Sequence, residues 1–272
     1  MIFYFTGTGN SLYAAQKLLE DGERLVNIGA TVKSREFTYE LKLNERVGFV
    51  CPVYFGGLPN IVSWFIRKLE LTGSTPAYVY AVLTCGGNAM DADHMIRKAL
   101  EKKNLFTDAV YQLIMPDNAF IYYDLPTEEE QDKVLKTSDK EIARIRTSVT
   151  SMGTDRTDGA KEYNSGIKGR ILTGAGYPLY EGGRKTSKFW TNDSCVSCGV
   201  CAKRCPVGAI ELIDGKVTWV KERCIHCLGC TRCGAIQYGK KSETRNRWKN
   251  PVFRKKTGAH NHGGHGGHSH AH

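Results

Sequence analysis

The sequence has no run of 18 or more apolar residues, so it offers no candidate for a helix that crosses a bilayer. It has no charged segment followed by a long apolar stretch near its start. Met1 leads at once into Ile2-Phe3-Tyr4-Phe5, which reads as a first strand rather than a secretory leader. A cytoplasmic location without a membrane partner is the expectation. There is no Gly-Lys-Ser/Thr of a Walker loop after the first apolar segment, and the glycine turn found there, Thr6-Gly7-Thr8-Gly9-Asn10-Ser11, has Leu12 where a dinucleotide fingerprint needs a third glycine. That turn also lacks Lys and Arg. No nucleic-acid recognition motif occurs, so the expectation is no nucleic-acid partner.

What is present is a globular composition. The chain has 272 residues, 41% hydrophobic and 24% charged, enough for a sizeable core in one large domain or two ordinary ones. Eight of the ten cysteines lie between Cys195 and Cys233. In a reducing compartment such crowding points to metal binding rather than disulfides. The net charge of +10 is uneven: residues 1–150 carry 17 Lys+Arg against 19 Asp+Glu (−2), and the rest 21 against 9 (+12). Negatively charged bound groups, such as metal–thiolate sites or phosphates, would offset much of that excess. An acidic partner is the other use for it.

Residues 1–150 alternate short apolar segments with helical patterns. Strands are expected at 2–6, 24–29, 46–51, 77–84 and 109–115, rich in Val, Ile, Phe and Tyr. Helices are expected over 11–20, from Pro59 through Leu69, over 93–103, and from Thr127, where Thr127-Glu128-Glu129-Glu130 has capping-box form. Five strands alternating with helices imply an α/β fold with a doubly wound parallel sheet. Glycines scattered through 151–189 read as a linker with a short helix near 165–173. From Trp190 an internal repeat begins: Trp190…Cys195…Ala209-Ile210 echoes Trp219…Cys224…Ala235-Ile236. Residues 190–239 form a second small domain in this reading, and 240–272 a basic, His-rich, disordered tail. Six histidines between His260 and His272 could bind Zn²⁺ or Ni²⁺, or be incidental.

The turn at 6–11 suits an anion. Its glycines free backbone N–H groups, Thr6, Thr8, Asn10 and Ser11 add polar side chains, and a helix N-terminus follows. It resembles the phosphate loop of flavodoxins, Thr/Ser-x-Thr-Gly-Asn-Thr/Ser, at all six positions. Two later segments end at the same edge of a parallel sheet: Pro52-Val53-Tyr54-Phe55-Gly56-Gly57 and Thr84-Cys85-Gly86-Gly87. The resemblance implies FMN, with Tyr54 and Phe55 as candidates for stacking on its ring. It places backbone groups of Gly56, Gly57, Cys85, Gly86 and Gly87 at the ring edge. Cys51 reads as a buried small hydrophobe. The aromatic loop Met115–Tyr123 lies on the same side.

Cys195-x2-Cys198-x2-Cys201-x3-Cys205-Pro206 is the bacterial ferredoxin run. In that motif the fourth cysteine ligates the other cluster. Cys205 then belongs with Cys224, Cys227 and Cys230, and Cys195, Cys198 and Cys201 need a ligand from elsewhere. Cys233 is the candidate, but it stands three residues after Cys230, where the motif expects four, and Gly234 follows where a proline is expected. On a helix that displacement is about 100°. His226 reads as exposed filler. Zinc sites more often present two separated cysteine pairs.

The whole resembles the flavodoxin–ferredoxin fusion family, the iron–sulfur flavoenzymes, over about 1–150 and 190–237. The resemblance implies a five-stranded flavodoxin-like domain, a small α+β bacterial-ferredoxin-like domain, FMN and two [4Fe–4S] clusters. It leaves two functions open. One is an oxidoreductase that delivers electrons to a small acceptor such as flavin, ferric chelate, quinone, nitro compound or oxygen. The other is a carrier between protein electron donors and acceptors.

Overall fold

The structure, a computed structural model, describes residues 1–153 and 161–254. The His-rich tract from His260 to His272 and its metal binding lie outside the described residues. In chain order the first elements are β1 (Ile2–Tyr4), α1 (Asn10–Leu18), β2 (Leu25–Asn27), α2 (Ile28–Ser34), β3 (Thr38–Leu41), β4 (Arg46–Pro52) and α3 (Asn60–Lys68). Then come β5 (Glu70–Gly73), β6 (Tyr78–Cys85), α4 (Ala92–Glu101), β7 (Ala109–Ile114), α5 (Glu128–Thr150) and α6 (Gly166–Gly183). The last are β8 (Phe189–Thr191), α7 (Val200–Arg204), β9 (Ile210–Ile213), β10 (Lys216–Trp219) and β11 (Ile236–Tyr238).

The fold is α/β, with a five-stranded parallel sheet in the order β2-β1-β4-β6-β7. Counting those five strands alone, this is the 2-1-3-4-5 order of the flavodoxin-like fold. Every residue of β6 is buried, and so is all of β4 except Pro52. Strands covered on both faces must be apolar on both. Phe3, Phe49 and Phe65 pack on one face, with α3 and α4. Ile2, Tyr4, Val50 and Tyr80 pack on the other, with α1 and α5. The capping box at Thr127 and Glu130 is formed. The carboxyl ends of β1, β4, β6 and β7 bring four loops to one edge. Three elements of this part lie outside the sequence expectation, α2 and the strands of the short parallel pair β3–β5, because seven and four residues carry too little periodicity to read.

The repeat from Trp190 folds as two antiparallel pairs, β8 with β11 and β9 with β10. The first strand of the module pairs with its last, so the two cysteine runs lie close together.

Two expectations need correction. The short helix expected near 165–173 within the linker is longer: α6 runs for 18 residues. Six glycines and Pro178 give it poor intrinsic propensity. Tertiary contacts hold it instead: the Thr173 hydroxyl donates to the Gly56 carbonyl (3.1 Å), and the Tyr177 hydroxyl bonds Asn60 Oδ1 (2.8 Å). The expected tail, 240–272, is not disordered throughout. Residues 240–254 are packed, with Trp248 buried and donating from Nε1 to Asp132 (2.9 Å), and Asn250 wholly buried.

The far edge of the sheet is fastened by a buried ion pair. Arg46 Nε and Nη2 donate to the two Glu23 carboxylate oxygens at 2.6 and 2.8 Å. Burial pushes the Glu23 carboxyl up, but Arg46, a backbone N–H and the chain N-terminus outweigh it and leave the group below its usual range. Its contribution is therefore present above the unfolded-state value, about 4.3, and is lost as the pH falls through the lower folded-state value. Replacing Glu23 by Gln should cost about 3 kcal/mol at neutral pH. The deficit should shrink below about pH 4, where the native carboxyl also takes a proton. Urea unfolding of both proteins from pH 3 to 7 checks this.

Candidate functional site

The four loops at the sheet edge enclose a cavity of about 490 Å³. Thr6, Gly7, Thr8, Asn10 and Ser11 line it from the first loop, Pro52, Val53, Tyr54 and Phe55 from the second, and Thr84, Cys85, Gly86 and Gly87 from the third. The aromatic loop after β7 adds Asn118, Tyr122 and Tyr123. Gly9, Gly56 and Gly57 do not line it. Gly9 is the left-handed residue (φ 112°) that starts α1, and it is backed by Asn250, Val252 and Phe253. Gly56 and Gly57 are covered by Thr173 and Tyr177 of α6.

Hydroxyls tie the loops together. Ser11 Oγ and Thr84 Oγ1 share a hydrogen bond of 2.8 Å, and Thr6 Oγ1 accepts from the Gly9 N–H at 3.0 Å. Asn10 donates to the Pro116 carbonyl (2.8 Å) and accepts from Asn250 Nδ2 (3.0 Å), so its amide braces the loop from behind. Helix α6 completes one wall: Phe55 stacks on Tyr180 with ring centroids 5.3 Å apart, and meets Tyr122 edge-on at 5.2 Å. Phe55 stays half exposed, at 47%, with its backbone left-handed (φ 52°). Tyr180 escapes the sequence reading, because it lies in a segment that looks like a linker. Cys85 reaches the cavity, and burial pushes its thiol up to about 12, so it is protonated at neutral pH. Cys51 is fully buried, as expected.

The two cysteine triplets adopt one backbone pattern. Ser197 and Gly199 in the first, and His226 and Leu228 in the second, have φ between 48° and 68°. Left-handed residues at matched places turn successive N–H groups inward, which suits a negatively charged cluster. The Cys205 sulfur accepts from the Ala209 N–H (3.2 Å) and the Cys224 sulfur from the His226 N–H (3.4 Å). Burial pushes the Cys224 thiol to about 11 and Cys227 to about 12, with neighbouring cysteines adding to the effect. A metal reverses that trend, because it binds thiolate. Cys227, Cys224, Cys205 and Cys201 all act on the Cys230 thiol, and Cys233 and Cys195 act on Cys201, so the two cysteine runs form one electrostatically linked nest. Cys233 ends a 3-10 turn, Gly229–Cys233, and it is exposed, as is Cys198. Among the described residues no three such side chains share one ion; a four-iron cluster spreads its thiolates wider than a tetrahedral zinc.

His226 is not exposed filler. It is 6% exposed, and its Nε2 lies 3.1 Å from the Lys185 carbonyl and its Nδ1 3.0 Å from the Tyr122 hydroxyl. A carbonyl can only accept, so Nε2 carries the proton and Tyr122 donates to Nδ1. The ring thus links the second triplet to the cavity loop.

The cavity and the cysteine nest share a wall. Cys227 lines both. A β-carbon on Gly7 would stand 1.6 Å from the Cys227 carbonyl oxygen, so the first loop and the second triplet touch backbone to backbone. Arg232 Nε and Nη2 clamp the contact by donating to the Gly7 carbonyl (2.9 and 2.6 Å).

Residues 189–211 match a family described as a 4Fe-4S binding domain. The chain therefore carries a ferredoxin-like iron–sulfur module, whose chemistry is electron transfer. No curated protein matches the chain. Among solved structures, Trp repressor binding protein from Bacillus subtilis is similar at 10% identity and a TM-score of 0.30, over 52% of this chain and 96% of that one. The fold reading rests on the sheet order itself. No helix among the described residues is long and apolar enough to cross a membrane.

The junction makes opposite forecasts for two glycines of the cavity wall. Gly7→Ala drives a methyl into the Cys227 backbone and should cost about 3 kcal/mol. A β-carbon on Gly87 would meet nothing within 4 Å, so Gly87→Ala should stay within about 0.5 kcal/mol. Denaturant melts of the two variants give the comparison.

Proposed function

We propose that the chain is an FMN- and iron–sulfur-dependent oxidoreductase with two [4Fe–4S] clusters, passing electrons between them and FMN and on to a small acceptor. The observation that carries this reading is the shared wall at Cys227, which belongs at once to the cavity and to the cysteine nest. When bound, FMN exchanges electrons singly or in pairs, whereas clusters pass them one at a time. In this reading residues 1–150 are the flavin domain, 190–239 the cluster domain and 151–189 the linker, whose helix α6 braces the two. The cavity volume lies within the range of roughly 300–1,000 Å³ usual for small-molecule sites.

The residues fit the two groups. The loop Thr6–Ser11 supplies N–H groups and a helix N-terminus to a phosphate without a cation in the loop. Phe55, Tyr122 and Tyr180 offer an aromatic wall to a flat ring, and Cys85, Gly86 and Gly87 offer its edge backbone groups. The protonated Cys85 thiol makes a poor nucleophile. Cys205, Cys224, Cys227 and Cys230 would hold the cluster beside the flavin. Cys195, Cys198, Cys201 and Cys233 would hold the outer one, with the 3-10 turn accommodating the shortened spacing. Small acceptors fitting the half-open aromatic rim are free flavin, ferric chelates, quinones, nitro compounds and oxygen. One observation favours a carrier role instead: Cys198 and Cys233 are exposed on the basic half of the chain, where an acidic protein partner could exchange electrons directly. Either role is cytoplasmic in this reading.

Anaerobic purification with iron, sulfide and flavin analysis should find about eight iron and one FMN per chain, with EPR signals of reduced clusters. Cys205→Ser should lower iron to about four and keep FMN. Absence of flavin, or iron unchanged in that variant, would contradict the assignment. An acceptor that reoxidises the reduced protein faster than it does free FMN marks the enzyme. Transfer rates that fall with ionic strength, without such an acceptor, mark the carrier.

A further inference from the structure

A second cavity, of about 410 Å³, lies beyond the first loop, and it shares Thr8, Asn118 and Leu228 with the flavin cavity. Arg204, Arg232, Arg247, Lys249 and Arg254 line it, and among the described residues its lining contains no Asp or Glu. Arg254 is paired with Asp132 at 2.8 Å. Arg232 and Arg247 are half-buried, and neither meets a carboxylate among the described residues. Arg232 donates to the Gly7 carbonyl, and Arg247 donates to the carbonyls of Thr231 and Ile236 (both 3.1 Å) and to Gln237 Oε1. Removing a guanidinium from water is unfavourable unless an anion compensates. Cys233 and Cys230 act electrostatically on Arg247, so metal-bound thiolates there would supply part of that anion. They do not account for Lys249 and Arg204, which are exposed on the same wall.

The wall is also aromatic. Phe120, Trp248 and Phe253 line it. The Arg232 guanidinium stands 3.5 Å from the Phe253 ring centroid and that of Arg247 4.3 Å from Phe120. Guanidinium groups match phosphate oxygens, and a guanidinium plane laid on an aromatic ring has a second face on which a planar base can stack.

We propose that this cavity is a second binding site, for the phosphate and base of a nucleotide. The proposal stands on the cavity's charge and aromatic lining. Two sources share that chemistry: a free nucleotide, or the adenylate half of a flavin dinucleotide that reaches past Thr8. The second source alone rests on the flavin reading.

The test uses anaerobically isolated holoprotein. Its flavin is extracted and identified, and ADP, AMP and inorganic phosphate are titrated by calorimetry. With FMN bound, ADP should bind once per chain, roughly tenfold or more tighter than inorganic phosphate. Lys249→Gln and Arg247→Gln should each weaken it by roughly tenfold. Lys249 is exposed, so its variant folds whether or not the Arg247 variant does. With FAD bound, ADP should compete only after the flavin is removed, and Lys249→Gln should lower the preference for FAD over FMN. ADP binding to a protein without flavin would uphold this site and contradict the flavin assignment. FMN in the extract with no binding of ADP, AMP or phosphate would overturn the proposal, as would binding that both variants leave unchanged. The arginines would then be counter-charges of the clusters alone.

Discussion

The arrangement depends on one close approach. The Gly7 α-carbon faces the Cys227 carbonyl so tightly that no side chain fits between them, and Arg232 holds the Gly7 carbonyl from the cysteine side. Everything else positions that contact. The parallel sheet presents the first loop at its carboxyl edge. The pairing of β8 with β11 brings the second triplet to face it. Helix α6 reaches from the Phe55 loop to the module, where the Tyr180 hydroxyl donates to the Ile225 carbonyl at 2.9 Å. The cavity and the cysteine nest are therefore separated by a wall one residue thick, with His226 and Tyr122 as a second bridge beside it.

Charge follows the same geometry. Among the described residues the cavity at the sheet edge has no Lys or Arg in its lining. The cations gather behind it, around the cysteines and the second cavity. Buried thiols whose protons are held tightly give them up only to metal, so the module's structure and its metal content are linked. The guanidiniums nearby offset the negative charge that metal-bound thiolates bring.

Much of this is legible in the sequence where one residue type is forced. The strands are forced by burial on both faces and Gly7 by close backbone approach, and the cysteine spacing marks the iron–sulfur module. What escapes reading is held by distant partners. Helix α6 looks like a linker because six glycines and Pro178 mask a helix whose tyrosines and Thr173 anchor it. The segment 240–254 looks like a polar tail because the partners of Trp248 and Asn250, namely Asp132 and Asn10, lie over a hundred residues earlier in the chain. His226 looks like filler because its hydrogen bonds come from Tyr122 and Lys185. For the same reason the aromatic wall of the cavity is only half visible in the sequence: Phe55 stands out, and Tyr180 does not.

The central claim is that the cysteine nest and the flavin cavity form one electron-transfer unit within a single chain. Pulse reduction of the anaerobic holoprotein by one electron, followed by transient absorbance, tests it most directly. The account predicts that cluster and flavin bands exchange with one rate constant that is unchanged across a range of protein concentrations. A rate that rises in proportion to protein concentration would show transfer between molecules and would contradict it.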